Sequence, residues 1–219
     1  MPWRIGLVDS CGDGPDCVAA SRFERCGAGV LAVPVAADVS GHGTRLGRII
    51  AGGPAEASFV FAQVLDQTGR TSADVVAAGI DWCIAQGVDL VHLSLGLTAD
   101  RPVLRDAIAR ALATGCVLVA AVPARGAVPY PAAYPGVLRA TGDARCDPRQ
   151  VSWLSDTTFG GCPSVEGTPG GGASVGAAHV SRAIAAAMQP CDTATVIATL
   201  ALNAAWRGPE CRSVHPDGA

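Results

Sequence analysis

Lysine is missing altogether, and all 16 basic residues are arginine. That excludes phosphate-binding loops of the Gly-Lys-Ser/Thr kind, lysine Schiff bases and pyridoxal phosphate chemistry. Asparagine is nearly missing too, with Asn203 alone in 219 residues. Aromatic residues make up only 5% of the chain, so the expected core is built from Ala, Val, Leu and Ile. Charge is sparse (16%) and the net value is −3, which leaves no electrostatic footprint for nucleic acid or an anionic membrane surface. No apolar run approaches the roughly 18 residues of a membrane span. The opening Met1-Pro2-Trp3-Arg4-Ile5-Gly6-Leu7-Val8-Asp9 lacks a signal-peptide layout, so the expectation is a cytoplasmic protein.

What is there is apolar enough, at 49% hydrophobic residues, to bury a substantial core. A single domain is expected over residues 1–219, with a frayed tail at 208–219. The nine cysteines contain no C-x-x-C pair, so zinc spacing is missing. Cys83 and Cys116 fall in apolar segments and read as small buried hydrophobes. Cys11, two residues past Asp9, is the thiol best placed for redox control. Asp9, Asp13 and Asp16 lack the spacing and closing Glu of a calcium loop and read as a solvated turn. No metal and no cofactor are expected.

Short apolar runs alternate with segments of helical period. Strands are expected at 5–8, 30–35, 59–65, 90–95, 117–122 and 137–141, and helices at 43–52, 73–86, 102–114, 174–188 and 193–205. In the second helix Val76, Ile80, Cys83 and Ile84 share a face, and Thr71-Ser72-Ala73-Asp74 reads as its capped start. The alternation implies an α/β fold, a mainly parallel sheet with helices on both faces. The Pro- and Tyr-bearing stretch 123–136 and the Gly-rich stretch 160–173 read as loops.

Three polar residues stand at junctions. Asp9 ends the first strand, His42 in Ser40-Gly41-His42-Gly43-Thr44 starts a helix, and Ser174 follows three glycines and Ala173 to open another. Ligands of parallel α/β sheets bind beyond the carboxyl ends of strands, where helices begin. A serine hydroxyl becomes nucleophilic when an imidazole takes its proton, and a carboxylate fixes the imidazole tautomer. Such a trio would carry out acyl transfer.

Several segments occur in an order similar to that of the subtilisin-like serine proteases (the subtilase family). Ile5-Gly6-Leu7-Val8-Asp9-Ser10 resembles the strand ending in the family's aspartate, and Gly41-His42-Gly43-Thr44 its histidine motif. Val64-Leu65-Asp66-Gln67-Thr68-Gly69, Asp89-Leu90-Val91-His92-Leu93-Ser94-Leu95-Gly96 and Tyr130-Pro131-Ala132-Ala133-Tyr134-Pro135-Gly136-Val137 follow in order. Gly172-Ala173-Ser174-Val175-Gly176-Ala177-Ala178-His179-Val180 resembles its serine motif in altered form. The resemblance covers residues 4 to 188 and implies a peptide or protein substrate. It makes Ser174 the nucleophile, His42 the general base and then acid, and Asp9 the orienting carboxylate. It implies that Ser94, Leu95 and Gly96 offer backbone to an extended substrate. Residues 120–126, with Ala121, Val122 and Ala124, would wall the pocket for the side chain before the cut.

The departures point to weak catalysis. The family's oxyanion-hole Asn aligns with Ala124, and no shift of register supplies another, since Asn203 lies far along the chain. Losing one such donor typically costs about 10²–10³ in turnover. Ala173 and Ala178 replace the usual Thr and Pro around the serine. Arg48 and Arg182 stand where the family carries Gly, and each must reach water or a carboxylate. The sequence therefore reads as a slow, narrow serine endopeptidase or, alternatively, as an inactive subtilisin-like module that binds a peptide or partner.

Overall fold

The chain runs β1 (Trp3–Asp9), β2 (Cys17–Cys26), β3 (Gly29–Val33), α1 (His42–Ala51), β4 (Ala57–Gln63), α2 (Ala73–Ala85), β5 (Leu90–Leu93) and α3 (Pro102–Ala113). It continues through β6 (Val117–Ala121), β7 (Leu138–Gly142), β8 (Val151–Ser155), β9 (Thr158–Gly161), α4 (Gly172–Ala187), α5 (Thr193–Leu202) and β10 (Trp206–Arg207). These elements come from a computed structural model that describes residues 2–53, 56–165 and 172–210. The strands form one sheet in the order β10-β8-β9-β7-β6-β5-β1-β4-β2-β3. Pairing is parallel except for the β2–β3 and β8–β9 hairpins.

Strand alternation sends side chains to two separate cores. Ile5 and Leu7 pack with Leu46 and Ile50 of α1 and Val175 and Ile184 of α4. Val8 points the other way, into Val76, Ile80 and Cys83 of α2 and Leu104 and Ile108 of α3. Cys83 and Cys116 are buried as expected. The aromatic-poor core is a partial correction, because Phe59, Phe61 and Phe159 are all fully buried in the layer under α1 and α4. Phe59 and Phe61 alternate along β4, and their rings stack with centroids 6.0 Å apart.

β1 is flanked by β4 on one side and β5 on the other, so the chain switches direction across the sheet at this strand. In open α/β sheets such a switch leaves a crevice at the carboxyl end. Asp9 is the residue that ends β1 there.

Four expectations need correction. β2 was not expected, because Arg22, Glu24 and Arg25 break the apolar pattern. It is tolerated near the sheet margin, where β3 closes a hairpin over it. Gly160 and Gly161 belong to β9 rather than to a loop. The stretch from 166 to 171 lies outside the described residues. Ser72 sits at the start of α2 in extended conformation, yet its hydroxyl bonds the Asp74 carboxylate and no helix N–H. Gly208 is not frayed: its N–H donates to the Trp153 carbonyl at 2.9 Å and its own carbonyl accepts from Arg145. Residues 211–219 lie outside the described residues.

Candidate active site

Asp9 is wholly buried at the end of β1. Its Oδ1 accepts from the Ser10 N–H at 2.7 Å, the Ser10 hydroxyl at 3.1 Å and His42 Nδ1 at 2.8 Å. A carboxylate on Nδ1 holds the proton there and leaves Nε2 as the free base. The hydrogen bond to Asp9 raises the His42 pKa above its ordinary 6.5, against burial and the positive charge of Arg45. His42 opens α1, and the next residue must be glycine. A Cβ on Gly43 would stand 2.9 Å from Asp9 Oδ1 and 2.7 Å from the Cys11 backbone nitrogen.

Two residues that the sequence did not single out hold this half in place. The carboxylate of Asp38 accepts from the Gly41 N–H, the Thr44 N–H, the Thr44 hydroxyl and the Ser40 hydroxyl, all between 2.7 and 2.9 Å. Burial pushes the Asp38 pKa up, but the hydrogen bonds from Thr44, Ser40 and Ser10 outweigh it and hold the carboxyl below its ordinary value. It does the work of a helix cap, three residues before the left-handed Gly41 that precedes α1. Gln63, buried at the end of β4, donates to the carbonyls of Ser10 (2.7 Å) and Ala36 (3.0 Å) and accepts from the Ala36 N–H. It ties the strand that bears Asp9 to the loop that leads to His42. The readable signal was a lone amide closing an apolar strand.

Ser174 lies in the first turn of α4, half-buried. That turn is seated on the carboxyl ends of β7 and β9. A Cβ on Gly176 would stand 2.3 Å from the Thr141 carbonyl oxygen, and one on Gly161 would stand 2.4 Å from the Gly176 carbonyl oxygen. α1 and α4 pack side by side on one face of the sheet. α1 opens beside Asp9 at the end of β1 and α4 opens on the end of the parallel strand β7, so both helices start from the same edge. Among the described residues the Ser174 hydroxyl makes no hydrogen bond, to His42 or to any other group. The structure thus brings Asp9 and His42 into contact and sets Ser174 at the same edge without closing the third contact.

Ser94, Leu95 and Gly96 leave β5 at that edge. The ladder ends at the Leu93–Ala120 pair and resumes at Leu97–Tyr130, so 94–96 has no strand partner among the described residues. The Ser94 side chain turns inward to His92 Nε2 at 2.7 Å, while His92 Nδ1 meets the Ser181 hydroxyl of α4 at 2.9 Å. Complete burial pushes the His92 pKa down to about 4, so this link is an uncharged one. Ala121 and Val122 are buried, whereas Ala124 and Arg125 are exposed. Asn203 ends α5 and donates to the Thr199 carbonyl of its own helix.

Cys11 is fully buried, and burial followed by the charges of Asp9 and Asp38 raises its pKa well above the ordinary thiol range. That removes the thiolate that redox control requires. Arg48 is exposed and Arg182 half-buried, and neither has a carboxylate partner among the described residues, so both reach water. No cluster of three or more His, Cys, Asp and Glu fit to hold a metal occurs among the described residues. No helix among them is long and apolar enough to cross a membrane.

No protein-family model matches the chain. It is 39% identical over 113 residues to the minor extracellular protease Epr of Bacillus subtilis (strain 168), covering 46% of this chain and 18% of that protein. It is 30% identical over 174 residues to subtilisin of Bacillus pumilus, covering 68% of this chain and 63% of that protein. The chain spans less than two thirds of the length of these relatives. Among solved structures it is similar to a mutant of the protease domain of PatA, with a TM-score of 0.62 and 18% identity over 84% of this chain and 78% of that one. At that identity the likeness shows the fold.

Proposed function

Because the chain belongs to the subtilisin-like (subtilase) family, we propose that it is a serine endopeptidase, slow and narrow in substrate choice, that works through Asp9, His42 and Ser174. The observation that carries this reading is the 2.8 Å contact from buried Asp9 to His42 Nδ1, which leaves Nε2 as the base. The Ser174 Oγ attacks the scissile carbonyl carbon as its proton passes to Nε2, and the carbonyl π pair moves onto oxygen. Collapse of this tetrahedral species expels the amine, which takes the proton from Nε2, and leaves an acyl-serine. Water then repeats the sequence and releases the acid. The free N–H groups and positive end of α4 face the developing oxyanion. The side-chain amide that would add to them is missing at Ala124, so turnover is low. Ser94, Leu95 and Gly96 bind the acyl portion as an added strand, with Ala121, Val122 and Ala124 forming the opposite wall.

Ala124 also favours a second reading, in which the cleft binds a peptide or partner without cutting it. Both readings are tested by incubating a mixed peptide library with the wild-type chain and with Ser174→Ala, and reading products by mass spectrometry. A few cleavages, lost in Ser174→Ala, are the expected result. Rapid cutting of unrelated sequences contradicts the narrow choice, and no cutting by the folded wild type favours the binding module.

A further inference from the structure

Arg48 and Arg182 belong to a cleft of about 650 Å³ between α1 and α4. Among the described residues Arg45, Arg48 and Arg182 line it together with Ile49, Val165 and His179, and no carboxylate does. None of the three arginines forms an ion pair with a described residue, although the chain as a whole is net negative. The stem of Arg182 is laid against Gly53, whose added Cβ would meet it at 2.4 Å, so its position is fixed by packing. Helix electrostatics account for Arg48, which sits in the last turn of α1. They do not account for Arg45, one turn from the positive end of the same helix, nor for Arg182 in the middle of α4. Three guanidinium groups without a carboxylate partner among the described residues, over an apolar floor, fit an anionic, partly apolar occupant.

The catalytic reading proposed above sets where this occupant would sit relative to the reaction. Both walls start at the site, α1 with His42 and α4 with Ser174 in its first turn. At about 1.5 Å of rise per residue, Arg45 and Arg48 lie roughly 5 and 9 Å along α1 from His42, and Arg182 about 12 Å along α4 from Ser174. An extended peptide covers that span in about two to four residues. The acyl portion is taken by the unpaired backbone at 94–96, so the groove between the helices is left for the leaving-group portion. We propose that the α1–α4 groove binds acidic side chains of the substrate two to four residues beyond the scissile bond. The proposal rests on the catalytic reading only for the direction of the chain; the acidic ligand follows from the groove itself.

The test uses the full chain carrying Ser174→Ala, so that binding is read without turnover. Fluorescence anisotropy compares a C-terminally amidated peptide bearing three consecutive Glu with its Gln counterpart. The Glu peptide is expected to bind at least about ten-fold more tightly at low salt, where ion pairs are least screened. That advantage should be lost at high salt and in Arg48→Gln/Arg182→Gln. If the double variant does not fold, Arg45→Gln/Arg48→Gln, at two exposed positions, should lose it instead. Equal affinity for the Glu and Gln peptides, or an advantage that survives arginine replacement in a folded chain, overturns the proposal. Failure of the catalytic reading is separate: it shows as absent cleavage by the wild type while the Glu preference persists.

Discussion

The two halves of the site are held by different physics. Around Asp9 and His42 the chain spends polar groups: Ser10, Asp38, Ser40, Thr44 and Gln63 make a connected hydrogen-bond network. Around Ser174 it spends the absence of side chains, with Gly142, Gly161 and Gly176 bringing backbone against backbone. The first half can be altered one hydrogen bond at a time, whereas the second cannot absorb even a methyl group. On the proposed reading, the chain keeps the machinery that fixes the base and, with Ala124, lacks a donor on the side where charge develops.

The largest effect is expected from breaking the base. Asp9→Asn leaves the packing in place but favours the wrong imidazole tautomer, and peptide cleavage should fall about 10⁴-fold. Next comes repair of the other half: Ala124→Asn should raise kcat by up to about 10²-fold, with little change in KM. An unchanged kcat would show that residue 124 does not face the oxyanion. Gly176→Ala should lower stability by about 3 kcal/mol or more, read as a drop in denaturant midpoint, because its Cβ meets the Thr141 carbonyl oxygen.

Two smaller effects follow from protonation. His92 is neutral in the fold, with a pKa held at about 4 against 6.5 for the free side chain. Below 6.5 the unfolded chain binds the extra proton, so this group removes stability as pH falls from 6.5 toward 4. His92→Asn, which keeps one donor and one acceptor, should flatten that part of the stability–pH curve. His42 is shifted the other way, and catalysis needs it neutral, so activity should be lost as pH falls through a value above 6.5. Arg45→Gln removes a positive neighbour and should move this acid limb slightly higher.

The sequence made much of this legible where one cause dominated. Alternating apolar runs located six of the strands and all five helices, because each helix buries one face in one of two cores and the central strands feed both. Asp9 and His42 were legible from their place at a strand end and a helix start. β2 was not, because a marginal strand tolerates Arg22, Glu24 and Arg25, which read as solvated loop. β9 was missed because Gly160 and Gly161 signal a turn locally, while their reason is tertiary, the close approach of Ser152, Asp143 and α4. Asp38 and Gln63 acquire meaning only once β1, β4 and the loop before α1 are adjacent. Arg48 and Arg182 were legible as misfits, but Arg45 and the groove that all three line were not.

The most direct test of the central claim is labelling with a fluorophosphonate, which reacts only with an activated serine. The wild-type chain should label, and labelling should vanish in both Ser174→Ala and His42→Ala while the two variants keep the wild-type fold by circular dichroism. A well-folded wild type that does not label would contradict the account.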